Sequence, residues 1–203
     1  MSDLAVQFGN IDIYLFDQLL RGRLRAPMRV LDAGCGSGRN LVHLLRSGYE
    51  VFATDADEDA IRTVRQMAAT LALHLPESNF RVEPIEAMSF GDASMDAVLS
   101  NAVLHFARDD SHFEAMLHGM WRVLKPGGLF FSRLASSIGM EDRVQPVANG
   151  RFRLPDGSDR YLVDEARLVD LTARLGGVLL DPLKTTIVQD QRCMTTWVVR
   201  KRE

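Results

Sequence analysis

Residues 30–40, VLDAGCGSGRN, constrain the chain more than any other stretch. An apolar run closes on an acid, three glycines alternate, and a helix-competent segment follows. This is the pattern of a buried strand turning through a tight loop into a helix. The glycines stand at Gly34, Gly36 and Gly38, spaced G-x-G-x-G, and Arg39 stands where the dinucleotide fingerprint needs glycine or alanine. The Gly-Lys-Ser/Thr of a phosphate-binding P-loop is also missing. A sharp strand-to-helix turn uses glycine whatever it binds, so the loop alone leaves its ligand open.

The strand-and-helix alternation continues along the chain. MRVLDA (28–33), EVFATD (50–55), FRVEP (80–84), MDAVLS (95–100) and LFFSRL (129–134) read as five strands. Helices are expected over about 39–47 and after Asp57, where Ile61, Val64, Ala68 and Leu71 share a face. A third follows around 113–124, where Phe113, Met116, Leu117, Met120, Trp121 and Leu124 form one stripe stopped by KPGG (125–128). Another helix is expected over 164–176, with Asp164 near its start and Gly176 at its end. The runs VLLDPLKTTIV (178–188) and MTTWVVR (194–200) are close enough to pair antiparallel. Together these predict an α/β, doubly wound, Rossmann-like sheet of seven mostly parallel strands, with an antiparallel C-terminal edge hairpin. One domain is expected over residues 1–203. In such sheets ligands sit beyond the carboxyl ends of the strands.

Charge and composition narrow the partners. With 203 residues and a net charge of −3, the chain gives no overall electrostatic reason to expect nucleic acid or an anionic membrane. The basic runs RGRLR (21–25) and RKR (200–202) lack interleaved aromatics and read as solvated faces. Cys35 and Cys193 are too few for a disulfide framework, and neither they nor the five histidines show metal-ligand spacing. The opening MSDLAVQFGN lacks a basic region followed by an apolar run, and no window approaches the ~20 apolar residues of a membrane span. A soluble protein of a reducing cytoplasm, binding no metal, is the expectation.

Two acids point to the ligand. A carboxylate at Asp32 would repel a pyrophosphate, yet it suits a ligand carrying a cation. S-adenosylmethionine carries a sulfonium and an ammonium, and glycines let the backbone approach its methionyl end. Asp55 ends the second predicted strand, 19 residues after Gly36. That matches the roughly 20-residue offset of an acid that holds ribose hydroxyls. Asp55 also sits beside Asp57, Glu58 and Asp59, where acids favour a helix start anyway.

VLDAGCGSGRN, VFATDAD, MDAVLSNAVLHF and VLKPGGLFF occur in the order and spacing of the class I S-adenosylmethionine-dependent methyltransferases, and the chain resembles that family from about Arg29 to Leu134. GCGSGRN in a small single-domain chain is also similar to the tellurite-resistance type. The resemblance implies that Asp32, Gly34, Cys35, Gly36 and Gly38 hold the methionyl part, and that Asp55 with Ala56 holds the ribose. The family usually places an aspartate after strand three for the adenine amino group, whereas this chain has Pro84 there. Glu86 or Glu83 can substitute, and the Ile85 amide can meet a ring nitrogen. Asn101, at the end of strand four, is placed near the cofactor.

Methyl transfer from a sulfonium needs alignment more than a base. His105 is the best-placed candidate base, against an ordinary helix or loop role, while His112 and His118 are expected to be surface or partly buried. Residues 136–160, with IDIYLFDQLL (11–20), are expected to cover the acceptor as a lid. In that segment Arg143, Arg151, Arg153 and Arg160 balance Glu141, Asp142, Asp156 and Asp159, which predicts solvated charges. SNAV stands where amino-directed DNA methyltransferases carry a Pro-Pro signature, and Pro-Cys and double-glutamate motifs are absent. The expectation is therefore a methyltransferase acting on a small molecule. The alternative is a non-catalytic cofactor-binding or regulatory protein, supported only by the missing strand-three aspartate. A nicotinamide oxidoreductase is disfavoured by the glycine spacing and Asp32.

Overall fold

The computed structural model describes residues 3–203, so the first two residues of the opening stretch read above for a leader lie outside the described residues. Five strands run parallel: β1 (Arg29–Ala33), β2 (Glu50–Asp55), β3 (Phe80–Val82), β4 (Met95–Asn101) and β5 (Leu124–Ala135). Their spatial order is β3-β2-β1-β4-β5. The chain winds outward from β1 to β3 and then returns to the other side of β1. The crevice between the carboxyl ends of β1 and β4 is therefore the switch point.

Both faces of this sheet are covered, which explains its uninterrupted apolar strands. Val30, Val51, Ala97, Leu99 and Phe131 face the cluster shared with helices α2 (Ile13–Leu20), α3 (Val42–Arg46) and α4 (Glu58–Leu71). Leu31, Phe52, Val98 and Phe130 face the other, with α5 (Asp110–Val123) and α6 (Glu165–Arg174). The apolar stripe of α5 is buried along its length, and Asp57, Asp109 and Asp164 cap α4, α5 and α6 through their carboxylates. A short helix, α1 (Asp3–Phe8), precedes α2. No helix of the described residues is long and apolar enough to cross a membrane.

Four local expectations are corrected. The run 178–188 splits into β9 (Gly177–Leu179) and β10 (Lys184–Val188), both antiparallel to β11 (Arg192–Lys201), so the main sheet has eight strands rather than seven. Between them Asp181 leaves the ladder, accepting from Arg23 at 2.6 Å and 3.0 Å, and Pro182 has no amide to donate. KPGG does not stand between helix and strand: β5 begins at Leu124 and residues 125–128 bulge, the register passing from Met95↔Leu124 to Ala97↔Leu129. The helix expected over 39–47 is helical only at Val42–Arg46, preceded by a turn in which the Leu41 amide donates to the Gly38 carbonyl at 2.9 Å. Finally, residues 136–160, where the sequence pattern suggested no strand, carry β6 (Gln145–Ala148) and β7 (Arg151–Arg153), which form a separate antiparallel sheet with β8 (Asp159–Tyr161).

Candidate functional site

The glycine loop is fastened over the end of β2. The Gly34 and Cys35 amides both donate to the Thr54 carbonyl, at 2.8 Å and 3.1 Å. Gly34 has φ +79°, and a Cβ there would lie 2.7 Å from both methyls of Val103. Gly36, at φ +50°, has nothing within 4 Å of the same position, so its bare face opens on a cavity of about 600 Å³. That size suits a nucleoside-sized ligand. Gly38 does not reach the cavity; it packs on Val64 of α4 and turns the loop.

Asp55 lines the cavity with both oxygens fixed by the backbone. Oδ2 accepts from the Gly36 amide at 2.9 Å and Oδ1 from the Asp57 amide at 3.0 Å. The acid thus holds the cradle in shape while keeping free lone pairs. Ala56 lines the cavity beside it.

Asp32 is 2% exposed and lies behind the lining rather than in it. Its Oδ2 is buried without a partner. Burial pushes its carboxyl up to about 7, opposed by Arg39 and reinforced by Asp55. A cation entering the cradle would relieve that carboxylate, so the residues present fit a cationic amino-acid tail. Cys35 lines the cavity, but burial and the neighbouring Asp32 and Asp55 hold its thiol well above its ordinary range, which leaves it unreactive.

The far wall sorts the two glutamates. Glu83 is engaged with Ser89, accepting from its amide at 2.9 Å and from its hydroxyl, and it lies outside the lining. Glu86 lines the cavity beside Ile85, 3.2 Å from Nε2 of His112. Nδ1 of His112 accepts from the Arg108 amide at 3.1 Å, so Nε2 carries the proton given to Glu86. His112 is partly buried, one of the two settings expected for it, and it lines the cavity, which the sequence did not indicate. The available signal was Asp109, whose carboxylate accepts from the His112 amide at 2.8 Å and so sets that residue in the first turn of α5. Arg39, Phe106 and Arg108 line the cavity as well, and sequence reading missed them.

Asn101 and Arg39 stand where the first cavity meets a second, and both line each. Asn101 Oδ1 accepts from Arg39 at 2.9 Å, leaving its buried Nδ2 without a partner. Ala102 follows at φ +63°. His105 faces only the second cavity. Its Nδ1 accepts from the Ala135 amide at 3.2 Å, and burial with Arg160 nearby pulls the ring down to about 4. The neutral ring therefore presents Nε2–H, a donor, and the expectation of a base is revised accordingly. Because its folded value lies below its ordinary 6.5, His105 contributes stability that is lost as pH falls from 6.5 towards 4. The variant His105→Asn, which keeps an acceptor near the Ala135 amide, is expected to lose about one proton's worth of that pH slope in urea midpoints. An unchanged slope would contradict the assignment.

The segment expected as a lid and the strand after it pack on the body of the protein. Tyr161 stacks on Phe113 at 4.8 Å, Arg151 donates to the Ala107 carbonyl at 3.0 Å, and the β7–β8 turn lines the second cavity through Leu154, Asp156 and Ser158. Residues 11–20 line neither cavity. They support the site through Asp12, which caps α2 and pairs with Arg133 at 2.9 Å.

A family model described as a methyltransferase domain matches residues 31–132. The chain is 33% identical over 161 residues to a malonyl-[acyl-carrier protein] O-methyltransferase of Pseudescherichia vulneris, covering 78% of this chain and 59% of that one. It is 35% identical over 105 residues to a ubiquinone biosynthesis O-methyltransferase of Methylocella silvestris, covering 52% and 39%. The chain thus spans less than two thirds of these relatives' length. Its fold is similar to the crystal structure of Burkholderia thailandensis 1,6-didemethyltoxoflavin-N1-methyltransferase with bound 1,6-didemethyltoxoflavin and S-adenosylhomocysteine. The TM-score is 0.72 at 20% identity, over 99% of this chain and 82% of that one.

Proposed function

The chain belongs to the class I S-adenosylmethionine-dependent methyltransferase family, and on that premise we propose that it transfers a methyl group from S-adenosylmethionine to a small-molecule acceptor by direct displacement. The observation that carries the reading is the unpartnered Asp32 carboxylate beneath a glycine cradle that opens on a nucleoside-sized cavity. When bound, the cofactor supplies an electrophilic methyl on a positively charged sulfur.

The chain's own residues do the rest. Asp32 and the Gly34, Cys35 and Gly36 backbone receive the methionyl tail, while Gly38 turns the loop behind them. Asp55, already fixed by the Gly36 and Asp57 amides, receives the ribose hydroxyls beside Ala56. Ile85 and Glu86 flank the adenine, with Glu86 standing in for the strand-three aspartate. Its place in the lining supports the catalytic reading over a non-catalytic one. Asn101 stands between the cofactor cavity and the acceptor cavity, and the β7–β8 turn lines the acceptor side through Leu154, Asp156 and Ser158. Alignment across that boundary supplies the catalysis, which agrees with the absence of a free base at His105.

Calorimetry with S-adenosylmethionine, S-adenosylhomocysteine and NAD tests the assignment: the first two are expected to bind and NAD is not. Asp55→Ala is expected to weaken S-adenosylmethionine at least tenfold, about 1.4 kcal/mol, because it removes the ribose acceptor and frees the Gly36 amide. Unchanged affinity in that variant would sink the ribose assignment.

A further inference from the structure

The second cavity, of about 260 Å³, receives arginines from four separate places: Arg39 of the glycine loop, Arg133 of β5, Arg160 of β8 and Arg192 of β11. Two acids answer them. Asp12 takes Arg133 at 2.9 Å and stands 3.6 Å from Arg39. Asp156 lies in the lining, but its Oδ1 already accepts from the Ser158 amide at 2.9 Å and hydroxyl at 2.6 Å. Among the described residues, Arg160 and Arg192 have no carboxylate within 4.0 Å. Arg160 donates to the Asp159 carbonyl at 2.8 Å and lies over the Phe106 ring at 5.0 Å. Within 136–160 Arg143 pairs with Asp190 and Arg153 with Asp159, whereas Arg160 has no carboxylate partner, so the equal counts along the segment do not describe the charge at the cavity. Asp159 also lies in the field of Arg160 but is paired with Arg153, so four guanidinium groups against Asp12 and Asp156 leave the cavity positive.

Two further observations concern what enters. Asn101, 9% exposed, offers an unpartnered Nδ2–H₂ at the boundary of the two cavities. No group facing the second cavity is a ready base. The Nδ1 lone pair of His105 is taken by Ala135, and the Ser158 bonds hold the Asp156 carboxyl below its ordinary value. An acceptor that must shed a proton finds nothing to take it, whereas one that arrives ionised needs no base. Leu154, Val188 and Met194 supply apolar wall for the remainder of the molecule.

Resting on the methyl-transfer reading above, we propose that the second cavity takes a small carboxylic acid and that its ionised carboxylate oxygen is the methyl acceptor. A carboxylate lone pair forms the new oxygen–carbon bond as the carbon–sulfur bond breaks, its electron pair returning to sulfur. The products are a methyl ester and the neutral thioether S-adenosylhomocysteine, and no proton moves. Arg160 and Arg192 select the anion, because a guanidinium fork matches a carboxylate.

The test uses the whole chain saturated with S-adenosylhomocysteine, titrated with benzoate, benzamide and inorganic phosphate by NMR. Benzoate is expected to bind at least tenfold more tightly than benzamide or phosphate. The double variant R160A/R192A is expected to lose benzoate at least tenfold while holding S-adenosylhomocysteine as before, which also reports that it is folded. In turnover with S-adenosylmethionine, at least one of benzoate, phenylacetate and octanoate is expected to yield its methyl ester. Benzamide or phosphate binding as well as benzoate, an unaffected double variant, or no ester from any acid by a cofactor-binding protein would each overturn the inference. Failure to bind S-adenosylhomocysteine would instead overturn the cofactor reading.

Discussion

Replacing Asp32 by asparagine is expected to stabilise the ligand-free protein at pH 7.5 while weakening S-adenosylmethionine at least tenfold. The buried carboxyl is pushed from its ordinary 3.8 up to about 7, a displacement equivalent to roughly 4 kcal/mol. The sign follows from linkage. A carboxyl raised in the folded state binds its proton more tightly there than in the unfolded chain, so stability falls as pH rises from about 4 to about 7. Asparagine removes that penalty but buries an amide of its own, so a net gain on the order of 2 kcal/mol is expected at pH 7.5 and little difference at pH 4.5. Urea denaturation at the two pH values measures it. The functional cost arises from the same atom, since the unpartnered Oδ2 is what a cationic ligand satisfies. At pH 6 wild-type protein is expected to release about one proton on binding S-adenosylmethionine, and Asp32→Asn none. Calorimetry in buffers of different ionisation enthalpy reads the difference. Equal proton release by both proteins would separate Asp32 from the ligand.

Gly119→Ala is expected to destabilise the protein, although helix propensity alone predicts the reverse. Alanine in a helix interior is favoured over glycine by about 1 kcal/mol. Gly119, however, lies where α5 presses on the turn at residues 85–87, and a Cβ there would stand 2.4 Å from the Ile85 carbonyl oxygen. Backbone cannot rotate away as a side-chain tip can, so the clash belongs at or above the upper end of overpacking costs, about 3 kcal/mol. The clash wins by roughly 2 kcal/mol, which for a chain of this length lowers Tm by about 4 to 8 °C. The displaced Ile85 borders the cofactor cavity, so S-adenosylmethionine affinity is expected to fall with it. A melting temperature equal to or above wild type would show that α5 and this turn separate at little cost.

The glycines and Asp32 stood out because their spacing is local, within a strand and one turn. The parallel strands and long helices were legible for the same reason, since burial on one or both faces writes a period into the residues themselves. The adenine wall was half legible: Glu83 and Glu86 are equivalent in sequence, and only the Ser89 contacts take one of them out of the cavity. His105 reads as a base because a histidine shortly after strand four can accept a proton near neutral pH. The Ala135 amide that occupies its lone pair comes from β5, 30 residues away.

The five parallel strands, their winding and the cofactor cradle could be read from the amino-acid order, because each rests on residues that are near neighbours along the chain. The acceptor side could not. There Arg39, Arg133, Arg160 and Arg192 converge from positions up to 153 residues apart, and the sign of their field depends on which carboxylates fall within ion-pair reach. Charge counted along a segment cannot report that, because electrostatic energy depends on separation in space and on burial.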